Sequence, residues 1–351
     1  MKINKLAILF FAFNILFISC NQDDDDDNIF DPKGDYENGT LISGEGSATT
    51  GSVTFIPEDL SAPQQLIFKT VNDAELGTFL QSIAFSESNA YICVDNANTI
   101  NVVDRYTFKE IAKITDQLVT PRYMVAVGDT GYATNWGSTA VDTDDFIAVI
   151  DLNTNKVTKT IPVGLGPERI VAKDGKLYVS HKGAYGTNNK VAVIDVATEV
   201  ITEITVADEP DELFFDADDN LWVLSSGRAS WTGSESNGSI AKINTTTNTI
   251  TTSFDLATTE HPNFLTYSGG KIYYLLSGNV YEMEVSAATL PTSSILEIGS
   301  VYGMEVNNGQ LYGLNASFSA LSELNIYSIS SKEKTKTMSV SLGASKIYFN
   351  K

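Results

Sequence analysis

Six times along the chain the same unit returns: a Pro or similar residue, an apolar pair, a Gly or Asp turn, then a strand carrying an aromatic. It is clearest in Gly166-Pro167-Glu168-Arg169-Ile170-Val171 followed by Asp174-Gly175-Lys176-Leu177-Tyr178-Val179. Aligned on Tyr91, Tyr132, Tyr178, Trp222, Tyr273 and Tyr312, the units start at Leu80, Pro121, Pro167, Pro210, Pro262 and Val301, with spacings of 41, 46, 43, 52 and 39 residues. No long stretch has the 3.6-residue period of a helix. Short β-rich runs separated by Gly, Asn, Asp and Ser predict an all-β chain, and a period of 40 to 50 residues with four strands per unit predicts propeller blades.

A seventh unit is split. Residues Tyr36 to Phe79 supply three expected strands, among them Gly51 to Ile56 and Gln64 to Thr70. The tail Leu342-Gly343-Ala344-Ser345-Lys346-Ile347 repeats Leu165-Gly166-Pro167-Glu168-Arg169-Ile170. The expected fold is therefore a single seven-bladed β-propeller over residues 36–351, its ring closed by the C-terminal strand pairing into the N-terminal blade, which removes exposed sheet edges. The aromatics, standing at one strand position in nearly every unit, are expected to pack between adjacent blades. Hairpins such as Val191-Ala192-Val193-Ile194-Asp195 end on Asp or Asn, read here as turn-formers. Cys93, in an alternating run, reads as an inert buried thiol.

Ahead of the repeats, Lys2 and Lys5 precede an apolar run from Leu6 to Ile18, too short to span a membrane. Residues 1–19 read as a signal peptide. Phe17-Ile18-Ser19-Cys20 is similar to a bacterial lipobox, although Phe17 stands where Leu is usual; Cys20 is the expected acylated N-terminus. Residues 20–35, with aspartates at 23 to 27, read as a solvated acidic tether. That acidic run resembles the signal that sends lipoproteins of one group of Gram-negative bacteria to the outer face of the outer membrane. The expected location is the outer membrane, lipid-anchored and facing the exterior. The formal net charge of −21 becomes −23 once Lys2 and Lys5 leave, and the basic residues are scattered. No basic stripe exists to hold phosphates, so nucleic acid is not an expected partner.

In a propeller the loops between second and third strands gather on one face, and function is expected where they break the repeat. Those loops run over residues 135–145, 181–186, 227–232 and 315–318. They contain Trp136 and Trp231, and His181 and His261 fall at the same face. The candidate ligand-binding residues are Asn135, Trp136, His181, Tyr185, Arg228, Trp231, His261 and Asn263: aromatic rings for stacking and polar groups for hydrogen bonds. The alternative is that the tryptophans fold back over their own blades. Metal ligation by His181 and His261 with Glu168, Asp211 or Glu212 has no short ligand spacing behind it. Asp142, Asp144 and Asp145, and Asp216, Asp218 and Asp219, lack the calcium-loop layout. No nucleophile elbow, metalloprotease helix or phosphate loop is present, so no catalytic residue, metal or cofactor is assigned.

The repeat as it stands in Gly166-Pro167-Glu168-Arg169-Ile170-Val171-Ala172 to Val193-Ile194-Asp195, with Val163-Gly164 ahead, resembles the YncE-type propeller repeat. The opening Asn38-Gly39-Thr40-Leu41-Ile42-Ser43-Gly44-Glu45-Gly46, then Gly51-Ser52-Val53-Thr54-Phe55, resembles the surface propellers that include the BtuG cobalamin-capture lipoproteins, a DUF5074-like group. Those usually read Asn-Glu-Gly where this chain has Gly44-Glu45-Gly46. The resemblance implies an extracellular module that binds cobalamin or another corrinoid, as ligand rather than cofactor, and passes it to a TonB-dependent outer-membrane transporter without catalysis. Haem or siderophore capture, a protein-recognition propeller and a metal-dependent lactonase-like or lyase-like enzyme remain as other readings.

Overall fold

In the alternating runs every second side chain turns to one face of a sheet, and each sheet buries both faces against its neighbours. The computed structural model describes residues 32–47, 50–138 and 140–351. The signal peptide, Cys20 and nearly all of the acidic tether lie outside the described residues. Lys33–Lys351 form one compact unit. Six four-stranded antiparallel sheets, at residues 80–114, 121–162, 167–205, 210–255, 263–297 and 303–340, form blades 2 to 7 in chain order. The units starting at Leu80, Pro121, Pro167 and Pro210 begin on the first residue of an innermost strand. Those starting at Pro262 and Val301 begin one and two residues before theirs.

Blade 1 is the split one. Ala344–Asn350 is its innermost strand and pairs antiparallel with Gly39–Gly44, Tyr348 opposite Leu41 and Ile347 opposite Ile42; Gly39–Gly44 pairs in turn with Ser52–Pro57. The C-terminal strand thus closes the ring. The strand expected over Gln64 to Thr70 is a correction. Only Gln64 makes an isolated bridge, to Phe55, and Ile67–Asn72 is a short helix. Ile67 and Phe68 are consecutive and both buried, which a strand would have to split between opposite faces. Leu66 at φ 55° turns the chain out of the extended form. The Asn72 side chain then holds the helix in place, donating to the Phe108 carbonyl at 2.9 Å and accepting from the Glu110 amide at 2.8 Å.

The repeated aromatics are the inter-blade packing. Tyr91, Tyr132, Tyr178, Trp222, Tyr273 and Tyr312 are all buried, and each belongs to a core cluster that continues into the following blade. Tyr178 of blade 4 meets Phe215 of blade 5 edge-on, centroids 5.6 Å apart, and its hydroxyl reaches the Thr245 carbonyl at 3.3 Å. In blade 1 the corresponding partner of the innermost strand is Leu41. Burial of one such side chain stabilises by about 1.5–3 kcal/mol, repeated at each blade seam.

The turn-formers also hold. Asp151 Oδ1 accepts from the amides of Asn153 and Thr154, Asp195 Oδ1 from those of Ala197 and Thr198, and Asn244 Oδ1 from those of Thr246 and Thr247. The bond from the Thr198 hydroxyl lowers the Asp195 carboxyl most, with those amides adding to it, and the amide of Asn153 is the chief cause at Asp151. Cys93 is fully buried, and burial pushes its thiol up to about 12.

Candidate functional site

The first residues of each innermost strand stand at the channel, and in blades 1 to 6 the ladder there shifts register, for instance between Pro121 and Met124, Pro167 and Ile170, and Pro210 and Leu213. A bulge re-aims side chains. Here it lets two consecutive residues in most blades reach the channel: Arg122 and Tyr123, Glu168 and Arg169, Asp211 and Glu212, Asn263 and Phe264, Ser345 and Lys346. Together they line a cavity of about 1010 Å³, within the size of small-molecule sites.

The cavity has two unlike walls. Across blades 2 to 5 runs a chain of ion pairs. The Arg122 guanidinium donates two parallel bonds to Glu168, Nε to Oε2 at 3.0 Å and Nη2 to Oε1 at 2.9 Å, and also binds Asp95. Arg169 Nε donates to Asp211 Oδ1 at 3.0 Å and its other arm binds Glu212, while Lys182 Nζ donates to Asp211 Oδ2 at 2.7 Å. Blades 6, 7 and 1 supply Phe264, Leu275, Tyr302, Met304 and Lys346 instead.

Burial and these pairs set the charges. Burial raises the Asp211 carboxyl, but Lys182 and Arg169 outweigh it and hold it well below the usual carboxylate range. Glu212 is pushed up to about 7, chiefly by burial, against the pull of Arg169. Burial also raises Glu305, whose carboxylate accepts from the Thr266 hydroxyl at 2.6 Å. Lys346 is lowered by burial and by the neighbouring Arg169.

Of the eight candidate residues, His261 and Asn263 line this cavity. His261 Nδ1 donates to the Ser226 carbonyl at 2.9 Å, its Nε2 stands 3.2 Å from Glu235, and the Asn263 amide donates to the His261 carbonyl at 3.3 Å. Trp136 and Tyr185 meet edge-on, centroids 5.8 Å apart. Trp136 lies on the Arg122 guanidinium, 3.7 Å from ring centroid to carbon, and its indole N–H donates to the Pro167 carbonyl at 3.0 Å. It braces the ion-pair wall from behind. Asn135 and His181 are buried: Asn135 accepts from the Val119 amide and donates to the Ala133 carbonyl, and His181 Nδ1 bonds the Leu165 carbonyl at 3.2 Å, with burial lowering the imidazole. Arg228 pairs with Asp208 at 3.0 Å, away from the cavity. Trp231, 86% exposed on a one-turn helix Ser230–Thr232, also stands outside it.

Members of the aspartate clusters are taken up by backbone amides and by side chains, Asp219 pairing with Lys173 at 2.8 Å. Asp216 accepts from the Trp222 indole at 2.8 Å and the Asn220 amide at 2.9 Å, Asp144 from the Ser138 amide at 3.0 Å, and Asp145 from the Gly166 amide at 2.5 Å. Among the described residues no three His, Cys, Asp or Glu side chains group as a metal site requires. Sequence reasoning missed Arg122, Arg169, Lys182 and Lys346, and considered Glu168, Asp211 and Glu212 only as metal ligands. The available signal was the pair of polar residues directly after the repeat starts, as in Pro167-Glu168-Arg169 and Pro210-Asp211-Glu212.

Residues 38–344 match the family described as domain of unknown function DUF5074. The chain belongs to that family. Over 126 residues this DUF5074 chain is 31% identical to the seven-bladed β-propeller protein Rv1057 of Mycobacterium tuberculosis, a match over 35% of this chain and 31% of that protein. The DUF5074 fold is similar to a quinonprotein alcohol dehydrogenase-like protein from Bacteroides thetaiotaomicron (TM-score 0.65, 16% identity, 90% of this chain and 79% of that one). It is similar also to a putative 6-phosphogluconolactonase from Bacteroides fragilis (TM-score 0.64, 11% identity, 90% and 99%). At such identities these likenesses speak for the fold alone.

Proposed function

We propose that the protein is a non-catalytic binding module at the cell surface: anchored to the outer membrane through Cys20, it holds a small-molecule nutrient in its central cavity and delivers it to a TonB-dependent transporter. Cobalamin or another corrinoid is the first ligand to test. The observation that carries the binding reading is the cavity itself, large, polar and built from opposite sides of the ring. Its acids and bases along blades 2 to 5 already satisfy one another, so that wall presents fixed hydrogen-bonding groups with no charge left in need of a partner. Such a wall suits the peripheral amides of a corrinoid, and Phe264 and Tyr302 opposite suit its flat body. The lipid anchor and the transporter rest on the lipobox-like segment and the family resemblance.

The test is calorimetric titration of the mature chain with cyanocobalamin, alongside Asn263→Trp, which puts an indole at an exposed position of the cavity wall. Saturable heat with the wild type that Asn263→Trp abolishes supports both ligand and place. No heat removes cobalamin and turns the search to haem and siderophores. Binding that Asn263→Trp leaves unchanged puts the ligand elsewhere.

A further inference from the structure

The cavity's basic side chains are unequally provided for. Arg122 lies between Asp95 and Glu168, Arg169 binds Asp211 and Glu212, and Lys182 binds Asp211. Lys346 is the exception. Among the described residues it has neither a carboxylate within 4.0 Å nor a hydrogen bond, and its nearest aromatic face is Tyr123, 6.0 Å away. It nonetheless stands on the innermost strand of blade 1 and lines the cavity. Next to it Ser345 lines the same space, and its buried hydroxyl lacks a hydrogen-bond partner.

Lys346 is half-buried, and an ammonium held at a cavity wall with no counter-ion gains from a bound anion. We infer that the cavity takes its ligand by an anionic oxygen group, a phosphate or a carboxylate, seated on Lys346 with the Ser345 hydroxyl as a second donor. The acids around it do not oppose this equally. Glu212, pushed up to about 7 by burial, gives up its charge as pH falls toward neutrality, and burial raises Glu305 as well; Asp211 is committed to Arg169 and Lys182, and Glu45 accepts from the Tyr302 hydroxyl at 3.3 Å. The ligand class that follows has an acidic group at one end and a body that rests on the Phe264 and Tyr302 side. This inference rests on the cavity being the binding site.

The experiment labels the chain with an amine-acylating reagent in chloride, inorganic phosphate or acetate at equal ionic strength, and reads each lysine by peptide mass spectrometry. Phosphate or acetate should slow acylation of Lys346 by about fivefold or more, a charge-assisted bond being worth that much, while the exposed Lys334 and Lys336 react alike in all three. Slowing by phosphate alone identifies a phosphate ligand, and by acetate alone a carboxylate. Equal rates at Lys346 in all three overturn the inference. In parallel, cyanocobalamin, which carries a phosphodiester, is titrated into Lys346→Met and Lys346→Arg. A loss of about tenfold or more for Met with recovery for Arg supports the inference. If Asn263→Trp abolishes cobalamin binding while Lys346→Met leaves it intact and no anion protects, the cavity reading survives and the anion inference fails. If anions protect but cobalamin gives no heat, the anion inference stands and cobalamin is removed as the ligand.

Discussion

Replacing Arg122 by Met tests the ion-pair wall directly. The Arg122 side chain is 12% exposed and its partner Glu168 only 4%. Met keeps most of the volume of the aliphatic stem but removes both bonds to Glu168, leaving a buried carboxylate with Gln81 Nε2, at 3.3 Å, as its remaining side-chain donor. An orphaned buried charge of this kind costs about 3–5 kcal/mol. Loss of the guanidinium under Trp136 adds about 1 kcal/mol. Asp95 also loses its partner, but at 21% side-chain exposure it retains water and adds little. The assay is urea denaturation followed by far-ultraviolet circular dichroism on the wild type, Arg122→Met and Arg122→Met/Glu168→Gln. The double variant removes the orphaned charge and should recover at least half of the loss. A single-variant cost under about 1 kcal/mol, or a double variant no more stable than the single, would refute the claim that this wall is a desolvated, mutually dependent pair.

Tyr178→Ala should cost about 3–5 kcal/mol in the same assay, and Tyr178→Phe about 1 or less, because the ring fills the seam between blades 4 and 5 while the hydroxyl makes only long bonds. Trp231→Ala should leave stability within about 0.5 kcal/mol and the cobalamin titration unchanged, since the indole stands in solvent outside the cavity; a loss of affinity would move the site to the loop face. Asp145 is buried and its carboxyl is pushed up to about 6 by desolvation, against the bond from Gly166. A carboxyl raised on folding contributes stability below its unfolded pKa that is lost as pH climbs to the folded one. Asp145→Asn should therefore gain on the wild type between about pH 4 and about pH 6, by up to ~3 kcal/mol at ~1.4 kcal/mol per pH unit, and thermal melts across that range that stay parallel would contradict it.

The ring could be read from the chain because its cause is local and repeated. Most units carry their own alternating strands, a turn-forming Asp or Asn and one large aromatic, and these act between residues close in sequence or between similar neighbours. The tail was legible for the same reason, Ala344 to Ile347 being one more copy of the innermost strand. The helix at Ile67–Asn72 was not, because it sits in the one place where the repeat fails and its two adjacent apolar residues answer to the core of blades 1 and 2. The site escaped in a different way. Loop aromatics drew attention as irregularities, yet Asn135 and His181 turned inward to satisfy backbone groups, and Trp136 went to support Arg122. Residues 122, 168, 169, 211 and 346 sit at the bulged starts of innermost strands, scattered along the chain; the polar pair after a repeat start marks the position, but nothing local says which of them become partners. Sequence alone determined the blade, its repetition and its closure. Only the closed ring, by bringing the innermost strands around one axis, decided which charges meet, which cancel, and that Lys346 is left without an anion.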